Sequence, residues 1–135
     1  MLAGCGGGGA SGHSAADIKT QCRAYTEVWR GPSERDRPAE AERKRAISEK
    51  VTTECCSRMA AAAKKLNAKE RDYLWWDLQS NMGKWDSDAD RKTALEMVAK
   101  YEQQIKGGAS SEALKPRTSI YASCVREIEG DTAGY

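Results

Sequence analysis

Phenylalanine is absent from this chain of 135 residues, histidine occurs once and proline three times. The lone histidine, His13, falls in a glycine-rich start. A Ser–His–acid or Cys–His arrangement needs an imidazole fixed inside a folded site, so neither has a candidate. Long hydrophobic runs are also missing: no stretch approaches the roughly 18 consecutive apolar residues of a membrane-spanning helix. Charge is balanced, with 22 Lys and Arg against 20 Asp and Glu. The signs are interleaved, which leaves no electrostatic footprint for nucleic acid. Even Arg43-Lys44-Arg45 is hemmed by Glu40, Glu42 and Glu49, as on a solvated helix face. Most acids stand at helix-surface spacing beside Lys or Arg, so no carboxylate pair separates out for acid–base work, and the chain reads as non-enzymatic. No phosphate-binding glycine loop is present either, because Gly6 to Gly9 have no strand before them.

Cysteine is the residue type that is plentiful, with five. Setting Cys5 aside leaves Cys22, Cys55, Cys56 and Cys124, an even set spread along the chain in the manner of an exported protein's disulfide framework. Zinc is the competing use. No Cys-x-x-Cys is present, and neighbours such as Cys55 and Cys56 project about 100° apart on a helix, which rarely lets them chelate together. Disulfide geometry also disfavours a bond between adjacent residues, so Cys55 and Cys56 should each take a different partner from Cys22 and Cys124, with the connectivity open. Asp86, Asp88 and Asp90 match the opening of a calcium loop, but Arg91 occupies its glycine position and Met97 its bidentate glutamate. No metal or other cofactor is expected.

Helical periodicity organises the rest. Ile18, Cys22, Tyr25 and Trp29 line one face of a first helix that stops at Gly31-Pro32. A second begins near Arg37 to Ala39 and runs to about Lys65, burying Ile47, Val51, Cys55, Met59, Ala62 and Leu66. Asn67 and Glu70 have capping-box spacing, so a third should start at Ala68 with Trp75, Leu78, Met82 and Trp85 inward and Leu74 adjoining. Acids at 86–90 open a fourth, which reaches Lys106 with Ala94, Leu95, Val98, Tyr101 and Ile105 inward. Gly107-Gly108 stops it. Pro116 suits the first turn of a fifth, which buries Ile120, Tyr121, Cys124, Val125 and Ile128 and ends at Gly130. The expected fold is therefore all-α, a bundle of about five helices stapled by two disulfides. Residues 1–14 form a flexible leader, 15–130 a single domain and 131–135 a loose tail.

The leader itself carries a motif. Leu2-Ala3-Gly4-Cys5, followed by Gly6 to Gly9, Ala10, Ser11 and Gly12, resembles a bacterial lipobox with its cysteine and tether. The resemblance covers the first dozen residues only, and implies that Cys5 is acylated and becomes the mature N-terminus. A secretory signal places an apolar stretch of about 7–15 residues ahead of its cleavage site, and only Met1 precedes Leu2, so the resemblance requires upstream residues. Gly6, where an aspartate would signal retention, resembles lipoproteins of the outer membrane. Residues 6–14 as a Gly-rich coil would span roughly 15–18 Å.

Function is legible only as a class. Tyr73 and Trp76 project nearly opposite the core stripe of the third helix. They are either buried on a second side of a central helix or form, with Ser80, an exposed patch of the kind enriched at protein interfaces. The expectation is a lipid-anchored envelope protein, facing the periplasm, that binds another envelope or secreted protein without catalysis. Size and address point by analogy to an immunity or inhibitor protein against a toxin or lytic enzyme. A cell-wall or small-ligand binding module using Trp and Tyr is the first alternative, and an envelope assembly factor the second.

Overall fold

The structure, a computed structural model, describes residues 13–83, 85, 87–106 and 112–133. Among them the architecture is all-α: α1 (Ala15–Arg30), α2 (Pro38–Ala63), α3 (Ala68–Met82), α4 (Asp88–Lys106) and α5 (Ala122–Ala133). A short 3₁₀ turn (Glu112–Leu114) and a wide π-type segment (Pro116–Tyr121) lead into α5. Local chemistry explains the starts. Ser14 and Asp17 exchange hydrogen bonds as a capping box at 3.1 and 2.9 Å, and Asn67 and Glu70 do the same for α3 at 2.9 and 2.8 Å. Pro38 opens α2, where its missing N–H costs nothing. Gly83 closes α3 in the left-handed region at φ 67°, a conformation that favours glycine.

α1 packs on α2 and α3, α2 meets the π-type segment and α5, and α4 lies on α3. The layers converge on Ile18, Val51, Met59, Leu74 and Leu78, all fully buried together with the four core cysteines. Two disulfides form as separate staples, Cys22–Cys56 and Cys55–Cys124, with Cα–Cα distances of 5.6 and 5.5 Å. The adjacent cysteines of α2 thus bind α1 on one side and α5 on the other, as their angular separation requires.

Several expected positions differ. Trp29 stands on the stripe of Ile18 and Cys22 but is 59% exposed, because it lies in the last turn of α1, where α3 is also ending. Leu95, expected inward, is 45% exposed, since α4 rests on α3 and only a narrow line through Ala94 and Val98 is covered. Tyr101 and Ile105 have side chains outside the described residues. Trp75 is half-buried rather than central, and Ile120 and Ala62 are likewise half-buried. Gly130 does not end α5, which continues to Ala133. Its φ is not positive, and a glycine inside a helix weakens it by about 1 kcal/mol without breaking it.

Candidate functional site

At one end of the domain the chain enters through His13, which is held by several contacts. Its Nδ1 lies 2.6 Å from Asp72 Oδ1, its ring stacks on Trp75 at a centroid distance of 4.4 Å, and its carbonyl accepts a 2.9 Å hydrogen bond from Arg71 Nε. Arg71 also donates to the Leu66 carbonyl, so one guanidinium ties the entry point to the turn before α3. Trp76 stands edge-on to Trp75 at 4.7 Å and to His13 at 6.3 Å. His13 and Ser14, expected in the flexible leader, therefore belong with the folded domain. Chemically the contacts amount to a clamp, in which the imidazole partners are one carboxylate and two indoles.

Of the residues singled out on α3, Tyr73 is 3% exposed and belongs to the interior. α3 touches α1, α4, the 3₁₀ turn and the π-type segment, so it is covered on two sides. Trp76 and Ser80 are half-buried, and the Ser80 hydroxyl donates to the Asp77 carbonyl at 3.0 Å. The three do not make one exposed patch. Cys5 and Asp86 lie outside the described residues. Asp88 and Asp90 are exposed in the first turn of α4, where the Ser87 hydroxyl accepts from the Asp90 N–H at 3.1 Å.

The second side of α3 holds the one buried acid among the described residues. Asp77, 6% exposed, pairs with Arg117 of the π-type segment, which reaches it through Nε and again through a second nitrogen at 3.3 Å. Burial pushes the Asp77 carboxyl above the usual carboxylate range, against the pull of Arg117 and Asn81, and nearby Glu102 adds to the rise. Close by, Thr26 Oγ1 and the Tyr121 hydroxyl are 2.8 Å apart, and burial likewise raises the Tyr121 phenol. These groups face each other in the interior and read as a satisfied polar core.

The opposite end of α1 offers the open surface. Trp29 Nε1 donates to the Asn81 carbonyl at 3.1 Å, which fixes the indole while leaving most of it in solvent. Beside it a groove runs between α1 and the end of α3, lined by Ala24, Val28, Met82, Gly83 and Trp85 with Glu27 and Gln79. A second, charged groove between α1 and α2 is lined by Arg23, Arg45, Glu49 and Glu54 and shares Glu27, Gly31 and Pro32 with the first. Gly31 allows the sharp exit between them: a Cβ there would sit 2.5 Å from the Glu27 carbonyl oxygen. Among the described residues no three His, Cys, Asp or Glu side chains gather as a metal site, and no helix is long and apolar enough to cross a membrane.

Comparison with protein-family models, with curated proteins and with solved structures returns no match.

Proposed function

We propose that this chain is a lipid-anchored bacterial envelope protein that binds another protein without catalysing a reaction, acting as an immunity or inhibitor protein against a toxin or lytic enzyme. The observation that carries the binding claim is Trp29: a large indole, 59% exposed, yet held in one orientation by its bond to the Asn81 carbonyl. Aromatic side chains fixed in one orientation are the usual anchors of protein interfaces, because little side-chain entropy remains to be lost on binding. The two disulfides support an address outside the reducing cytoplasm. The clamp on His13 supports the tether reading in a further way. A lipid on Cys5 would attach the domain at its His13 end, while Trp29 lies at the other end of the 16-residue α1, some 20 Å away along the helix at about 1.5 Å per residue.

Trp29→Ala should therefore separate binding from folding. The variant is expected to melt close to the parent, since the removed ring covers little core, but to lose roughly thirtyfold or more in partner affinity, the equivalent of about 2 kcal/mol. Trp75→Ala, which uncovers His13 and the edge of the core, is expected to melt earlier. Thermal melts alongside capture of envelope and secreted proteins by the purified domain measure both. Equal capture by parent and Trp29→Ala would remove Trp29 from the interface. Retention of the domain on peptidoglycan, with no protein captured, would favour the cell-wall reading instead.

A further inference from the structure

α4 presents a second line of side chains besides the one covered by α3. Asp88, Lys92, Leu95, Ala99 and Glu102 are all exposed, and at 100° per residue they fall within about 40° of a common direction. Their steps of four, three, four and three are the spacing of a helix-pair seam. The order is also self-complementary. Lys92 stands three residues before Leu95 and Glu102 three residues after Ala99, so reading the strip backwards keeps the spacing and exchanges the signs. In the sequence, Asp88 and Lys106 bear the same relation one step farther out. Among the described residues no side chain of α4 takes part in an ion pair.

We infer that this strip is the pairing surface of a homodimer in which two copies of α4 pack antiparallel. A two-fold axis between Leu95 and Ala99 sets Lys92 opposite Glu102 of the partner subunit, and Leu95 opposite Ala99 of the partner subunit, each pair occurring twice. Parallel packing would set lysine against lysine and glutamate against glutamate, which favours the antiparallel arrangement. The small Ala99 lets the helices approach where Leu95 inserts. One helix pair with charged flanks is a small interface, so association is expected to be weak.

Sedimentation of the full chain from about 10 µM to about 1 mM tests this, with every protein carrying Cys5→Ser so that no intermolecular disulfide imitates a dimer. The parent should pass from 14.8 kDa toward twice that mass as concentration rises. Lys92→Glu and Glu102→Lys should each weaken association roughly tenfold, because two attractive pairs become repulsive. The double variant Lys92→Glu/Glu102→Lys should recover it. Lys92 and Glu102 are both exposed, but Glu102 also lies near Asp77, so circular dichroism and a thermal melt accompany each variant, and Lys92→Glu is the reversal that leaves the Asp77 surroundings intact. A parent that stays monomeric at about 1 mM, single reversals without effect, or a double variant that remains monomeric would each overturn the proposal.

Discussion

Replacing Cys55 and Cys124 together by alanine should lower the unfolding free energy by about 4 kcal/mol, and the same change at Cys22 and Cys56 by slightly less. The closed loops span 69 and 34 residues, for which loop-closure entropy gives about 4.4 and about 3.8 kcal/mol. For a domain of this size that is a fall of roughly 15 °C in melting temperature. The loops overlap only at Cys55 and Cys56, so they constrain almost separate parts of the unfolded chain and their effects should nearly add. Removing both therefore takes away an amount comparable with the whole stability of an ordinary domain, and the quadruple variant should be unfolded at 37 °C. Denaturant titration of the three variants measures each loss. A loss below about 1 kcal/mol for either pair would show that tertiary packing, and not the staples, holds α1 and α5 on α2.

Asp77→Ala should be the most damaging single change outside the cysteines, at about 3–5 kcal/mol, because it strands the half-buried Arg117 without its carboxylate. Arg117→Met combined with Asp77→Leu should recover much of that loss, since an apolar pair of similar bulk needs no counter-charge. The pH dependence has a definite sign. The folded-state pKa of Asp77 is raised above 3.8, so its contribution is fully present below that value and is lost as pH rises through the raised pKa. The stability of the parent relative to Asp77→Asn should accordingly shrink with rising pH across the weakly acidic range. A constant difference between the two from pH 3 to pH 8, or a gain with pH, would mean that the pair with Arg117 outweighs burial.

Helix number, the capping box of α3 and the division of Cys55 and Cys56 between two partners were legible because each rests on short-range geometry. Asn67-x-x-Glu70 closes within one turn, and neighbouring residues on a helix diverge whatever the tertiary fold. What failed depended on how far a neighbouring helix extends. Trp29 and Leu95 obey the periodicity of α1 and α4, but periodicity does not say where the covering helix ends. Tyr73 and Asp77, four residues apart, mark a second buried side of α3, which is recognisable only once α3 is known to be central. By composition His13 groups with the glycines before it. Its place immediately ahead of the Ser14 cap was the available signal, since the residue before an N-cap commonly packs back on the fold. Arg117 was hidden because the start of the fifth helix reads as regular α-helix from Pro116, whereas the backbone there widens into a π-type segment.

The most direct test of the account is subcellular fractionation of the protein expressed from its complete upstream reading frame, with Cys5 intact and with Cys5→Ser, each followed by non-reducing peptide mapping. The parent should sediment with membranes and the Cys5→Ser form should not, while both carry Cys22–Cys56 and Cys55–Cys124. A parent found in the soluble fraction with Cys5 unmodified, or one whose Cys22, Cys55, Cys56 and Cys124 remain free thiols, would contradict it.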